Sequence, residues 1–196
     1  MGPTDLDLNT RGLRRVEYES LVELGMFHGE RLELLDGVLV VREPHGGLHA
    51  TTLTQIVQRL TSLCPSGSHV RCQLPLALDD ASEPEPDVAI VAGAPFDYID
   101  GHPPMATLVV EVADSSLRLD RGLKAGLYAR ARVPEYWIVN VVDLVVEVHR
   151  APEAAPEGVY GAVYRSVDIL RPPATIAPLA APDAHIPVAD LLPPAR

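Results

Sequence analysis

At 196 residues, with 47% apolar and 22% charged residues, the chain has the size and composition of one soluble globular domain with room for a substantial core. A net charge of -11 weighs against nucleic-acid binding unless the basic residues converge on one face, because phosphate affinity comes largely from Lys and Arg. No apolar run reaches the roughly 18 residues that span a bilayer, the opening "MGPTDLDLNTRGLRR" has no apolar signal core, and two cysteines make no disulfide framework, so a cytoplasmic protein is expected.

Residues 1–15 read as a loose lead-in. From Val16, "VEYESLVELGMF" sets Tyr18, Leu21, Val22 and Gly25 at helical spacing. "RLELLDGVLVVRE" has two apolar runs flanking Asp36-Gly37, a dipeptide suited to the positive backbone angles of a tight hairpin. In "HGGLHATTLTQIVQRLTSL" the stripe Leu53, Ile56, Val57 and Leu60 predicts a second helix with His49 on the same face, either as a satisfied helix-opening residue or as a ligand. "HVRCQLPLAL" alternates like a strand, with Cys72 beside Val70 and Leu74 as a small buried thiol.

The acidic, Pro-rich "DDASEPEPD" delivers Asp87 to the mouth of the strand "VAIVAG". After a loop comes "LVVEVA", which has Val109, Glu111 and Ala113 on one face and Leu108, Val110 and Val112 on the other. Both faces are apolar, so this strand should be covered on both sides. A helix, "LDRGLKAGLYARARV", follows, with Asp120 near its start and Arg130 and Arg132 near its end. "EYWIVNVVDLVVEVHR" reads as a second hairpin with Trp137 in the core, and "VYGAVYRSVDIL" as a further strand. This order suggests an α/β or α+β domain over residues 16–170 with one sheet between helices. The tail 171–196, with seven prolines, should pack on the same domain and contribute edge strands and little else.

A carboxylate in a core strand needs a cation, a hydrogen-bond network or an opening to solvent, since burying an unpaired charge costs several kcal/mol. Lys124 stands thirteen residues after Glu111 and is the only lysine among 16 cationic residues. If the strands led by Asp87 and holding Glu111 are neighbours, the two acids converge at one end of the sheet. Two carboxylates suit magnesium, which is commonly held by one or two such groups with water and substrate phosphate. The lysine could then orient water, stabilise charge or act as a base, whereas arginine stays protonated. The plain structural alternative is a partly buried Glu111–Lys124 ion pair.

"RLELLDGVLVV", "EPDVAIV" and "LVVEVADSSLRLDRGLKAGLYARARVPEYWIVN" together resemble the Uma-two family of restriction endonucleases, a branch of the PD-(D/E)XK nuclease superfamily, over residues 16–170. The resemblance implies a restriction-endonuclease-like mixed central sheet flanked by helices with extra β-hairpins. It also implies a Mg or Mn centre in which Asp87 and Glu111 hold the metal, Lys124 acts from the following helix, and Glu33 assists. His49 matches a histidine opening the second helix. The superfamily's usual lysine position, two residues after the glutamate, is Ala113 here. Asp114 reads as a loop-capping residue or a further metal acid, Asp120 as a helix-opening acid near the site, and Tyr128 as a residue that steers Lys124 or packs.

The function expected from these readings is metal-dependent phosphodiester hydrolysis in DNA, in a homodimer whose two subunits reach both strands. A non-catalytic interaction module and a phosphodiesterase for a small nucleotide are the rivals. A polyanion site should be ringed by arginines such as Arg42, Arg59, Arg71, Arg118 and Arg121; a small nucleotide needs a closed pocket.

Overall fold

The structure is a computed structural model that describes residues 10–42 and 44–194; most of the expected lead-in, residues 1–9, lies outside the described residues. Its elements are α1 (Arg15–Glu23), β1 (Leu32–Leu35), β2 (Val38–Val41), α2 (Gly47–Leu63), β3 (Ser68–Cys72), β4 (Val88–Ala92) and β5 (Leu108–Ala113). A helical segment follows, made of α3 (Leu117–Leu119), a π-helical turn (Asp120–Lys124) and α4 (Ala125–Arg130). Then come β6 (Glu135–Asn140), β7 (Val145–Ala154), β8 (Ala162–Leu170), β9 (Thr175–Ile176) and β10 (Ile186–Pro187).

Strands β3 to β8 form a six-stranded sheet in sequence order, antiparallel throughout except for the parallel pair β5–β6. That parallel step exists because the helical segment crosses over between the two strands. The alternation read in "LVVEVA" sorts its side chains as expected. Leu108, Val110 and Val112 join a cluster with Leu53, Ile56 and Leu60 of α2, while Val109 and Ala113 pack with Ala125, Tyr128 and Ala129 of α4. All six residues of β5 are buried. Each fully buried aliphatic side chain contributes about 1.5–3 kcal/mol, so the middle of the sheet is the most strongly held part of the fold.

The β1–β2 hairpin turns at Asp36 (φ 49°) and Gly37 (φ 81°), the positive angles that the dipeptide favours. A Cβ at Gly37 would also lie 2.9 Å from the Gly12 Cα, so the glycine is fixed twice. Helix α1 departs from its predicted stripe: Tyr18 is buried and donates its hydroxyl to the Leu32 carbonyl (2.9 Å), whereas Val22 is exposed. It covers a small cluster with Leu32 and Leu34, not the main sheet.

Two further expectations need correcting. Cys72 is exposed and Arg71 is the buried member of β3, because β3 is an edge strand and the chain turns out of extended geometry at Gln73 (φ 49°). The Pro-rich tail does more than decorate an edge. β9 and β10 pair with each other, and Ile176, Ile186, Val188, Leu191 and Leu192 enter the core beneath α2. No helix among the described residues is long and apolar enough to cross a membrane.

Candidate active site at the end of strand β5

The antiparallel register sets Val88 opposite Val110, which brings Asp87, one residue before β4, level with Glu111. Two backbone hydrogen bonds fasten the pair: the Asp87 N–H donates to Glu111 Oε2 (3.3 Å), and the Val112 N–H donates to Asp87 Oδ2 (2.9 Å). The adjacency on which the convergence of the two acids depended is therefore present.

Lys124 Nζ donates to Glu111 Oε1 (2.9 Å) and lies 3.3 Å from Glu33 Oε1. The Tyr128 hydroxyl, one turn later, donates to the same Glu111 oxygen (2.9 Å). Glu33 comes from β1, and its Oε2 accepts from the Glu85 N–H (3.1 Å). The π-helical turn widens the helix where Lys124 must reach the sheet, a device that recurs at functional sites. It is tied down at both ends of its first turn: Ser116 Oγ donates to Asp120 Oδ2 (2.5 Å), Tyr136 donates to the Asp120 carbonyl (3.2 Å), and Arg121 grips Glu147 through two nitrogens.

His49 Nε2 donates to Asp87 Oδ2 (2.9 Å), so the histidine opening α2 touches Asp87 directly. Asp120 lines the same cavity and is buried. Asp114 is exposed at the rim, and among the described residues it makes no capping hydrogen bond. Arg42, expected near a polyanion site, lies 3.5 Å from Asp87 Oδ1, and two neighbours escaped the sequence reading: His45, 3.9 Å from the same oxygen, and Gln73, whose amide donates to it (3.2 Å). The His45–His49 spacing across two glycines was the legible signal for the first; nothing local marks Gln73.

The electrostatics are lopsided. Glu33, Asp87, Glu111 and Asp120 are all buried around the single ammonium of Lys124. Burial, together with Asp87, Asp120 and Glu33, pushes Glu111 up to about 8 against the pull of Lys124. Burial likewise pushes Asp120 up to about 6. Asp87 goes the other way: burial opposes its ionisation, but hydrogen bonds from His49, Val112 and Gln73 prevail and hold it at about 2. Burial also opposes the Lys124 charge, yet Glu111, Glu33 and Asp120 outweigh it and hold the ammonium above its ordinary value. Of the roles open to Lys124, a fixed positive charge fits this enclosure by acids better than a base does.

These groups border a cavity of about 380 Å³. Its donors are carboxylate oxygens in excess of the local cations, which is the chemistry a hard divalent cation needs, and Asp87 is already ionised to receive one. Of the five arginines expected around a polyanion site, only Arg42 lines the cavity. Arg42 binds Glu85, Arg59 binds Asp190, Arg121 binds Glu147, and buried Arg71 turns to the Pro75 carbonyl.

A family model described as "Putative restriction endonuclease" matches residues 16–189. The chain belongs to the Uma2 family. Among solved structures it is similar to a "putative nuclease belonging to DUF820" from Anabaena variabilis, with a TM-score of 0.64 and 14% identity over 83% of this chain and 89% of that one. At that identity the likeness speaks for the fold, a mixed nuclease-like sheet flanked by helices. No curated protein matches the chain. Uma2 membership thus supports a nuclease-type function, and the cavity wall, from Glu33 to Lys124, falls within the matched region.

Proposed function

We propose that this Uma2 protein is a divalent-metal-dependent endonuclease that hydrolyses phosphodiester bonds in DNA at the Asp87–Glu111 cavity. The observation that carries the reading is the pairing of Asp87 and Glu111 across β4 and β5 with Lys124 fixed on Glu111. Magnesium or manganese on the two carboxylates would lower the pKa of a bound water and stabilise charge on the phosphate. The chain's own residues do the rest. Lys124, held protonated, offers a fixed positive charge for a phosphate oxygen and a donor to orient water. Tyr128 fixes the rotamer of Glu111, His49 fixes Asp87, and Glu33 shares Lys124 so that its ammonium stays on the cavity side.

With manganese and labelled single- and double-stranded DNA, Glu111→Gln and Lys124→Ala should each lose about 10²–10³-fold or more in cleavage rate while keeping the native circular-dichroism spectrum. Wild-type protein that binds no metal and cuts nothing would return Glu111–Lys124 to the status of a structural ion pair.

A second reading, a phosphodiesterase for a small nucleotide, is favoured by the 380 Å³ cavity and by arginines engaged in internal pairs. A small chromogenic phosphodiester assayed beside DNA separates the two. Because Arg42, Arg59 and Arg121 are engaged in internal pairs, we propose that a DNA groove draws on two copies, in a cytoplasmic homodimer. Sedimentation equilibrium showing a monomer at assay concentration would remove that part.

A further inference from the structure

Next to the oxygen-rich Asp87–Glu111 position lies a cluster of different chemistry. His45, His49 and Asp87 place one ligand atom each within 4.8 Å of one another. His49 Nε2 and Asp87 Oδ2 are 2.9 Å apart, close to the roughly 3.0–3.4 Å that separates two ligands held about 2.1 Å from one ion. His45 Nε2 lies 3.9 Å from the other oxygen of the same carboxylate. All three residues face the cavity.

The His45 nitrogen is also unexplained by the protein itself. Among the described residues, His45 Nε2 is buried with no hydrogen-bond partner, a state that native structures rarely leave without a ligand, ion or water. Its ring lies flat against that of His49, with centroids 3.8 Å apart and planes 2° from parallel. Parallel rings do not aim both lone pairs at one point, so one imidazole must turn for both to bind, and the proton that His49 Nε2 donates to Asp87 must pass to its unpartnered Nδ1 to free the lone pair. Gly46 and Gly47, which separate the histidines and whose missing side chains face open space, give the backbone room for that turn.

We propose that His45, His49 and Asp87 form a second cation position in this cavity, selective for a nitrogen-accepting transition-metal ion of the zinc type over magnesium. Imidazole nitrogen suits zinc and its neighbours, whereas magnesium keeps oxygen ligands and water, so the two positions sort ions by donor type. Asp87 serves both, with an ionised carboxylate whose two oxygens face different partners.

The inference shares Asp87 with the hydrolytic reading, and the variants separate them. Zinc alone is titrated into metal-free full-length protein, followed by calorimetry and by the ring-nitrogen NMR signals of the histidines. In the wild type, two ring nitrogens should shift at one equivalent, and magnesium at the same concentration should shift neither. His45→Ala, a loop position, should lose one of those signals and weaken zinc binding about tenfold or more while leaving magnesium binding unchanged. Glu111→Gln should weaken magnesium and leave both nitrogen shifts in place. Zinc binding that is equally tight in His45→Ala, or that shifts no ring nitrogen, overturns the proposal. Nitrogen shifts that survive while Glu111→Gln alters neither magnesium binding nor cleavage would uphold it and sink the hydrolytic reading instead.

Discussion

Two buried glutamates sit in neighbouring strands at opposite ends of the same parallel pair, and their surroundings could hardly differ more. Glu135, at the start of β6, is closed off. Its Oε1 accepts from Trp137 Nε1 (2.9 Å) and Arg150 Nε (2.9 Å), and its Oε2 accepts from the Leu179 N–H (2.7 Å). One acid meets one guanidinium, and Trp137 and the Leu179 N–H add neutral donors, so the cluster is balanced in charge and also pins the Pro-rich tail. Glu111, near the end of β5, has Lys124 and Tyr128 on one oxygen, but Asp87, Asp120 and Glu33 crowd the same space beside a cavity. Residue type and strand burial are alike in the two places. What separates structure from chemistry is whether the local charges cancel without an added ion.

The largest effect that tests this contrast is on stability. Glu135→Ala strands Arg150 and the Leu179 N–H, and should cost about 3–5 kcal/mol in denaturant melts, with the tail becoming protease-sensitive first. Glu111→Gln, by contrast, relieves an acid-rich cluster and should cost less than about 1 kcal/mol while removing magnesium binding. Equal losses for the two would erase the distinction.

Glu83 sharpens the comparison as a third buried glutamate, one that faces another acid. Burial and the neighbouring Glu19 push it up from 4.5 to about 7, and its Oε2 has no hydrogen-bond partner among the described residues. Between those values the folded chain holds a proton that the unfolded chain has released, so this contribution is complete below pH 4.5 and is lost as the pH rises through about 7. Discounted for solvent screening, Glu83→Gln should flatten the decline by on the order of 1–2 kcal/mol, read from melts at pH 4.5 and 8. An unchanged slope would mean that Glu83 is not the group responsible. The smallest effect on cleavage is expected of Tyr128→Phe, which deletes one donor to Glu111. It should cost about 1 kcal/mol of stability and less than tenfold in cleavage, and a complete loss of activity would assign Tyr128 a larger part than fixing a rotamer.

Several features were open to inspection in the sequence because they depend on neighbours along the chain. Asp36-Gly37 dictates its own turn, and the alternation around Glu111 sorts Leu108, Val110 and Val112 from Val109 and Ala113 whatever lies outside the strand. The rarity of lysine marked Lys124 before any contact was known. The failures have a common origin in long-range placement. Cys72 has a strand-like pattern but lies at a sheet edge, the tail's apolar residues looked incidental until α2 covered them, and His45 gains meaning only when its loop folds over His49.

By itself the sequence determined the local elements, the acids at Asp87 and Glu111 and the family to which they point, since turn angles and side-chain alternation are properties of short stretches. Tertiary structure alone decided that β4 and β5 are neighbours in register, that a π-helical turn carries Lys124 to Glu111, and that Glu33 and Glu111 both close on its ammonium. Those outcomes rest on the summed field and packing of residues up to a hundred positions apart, which no local pattern encodes.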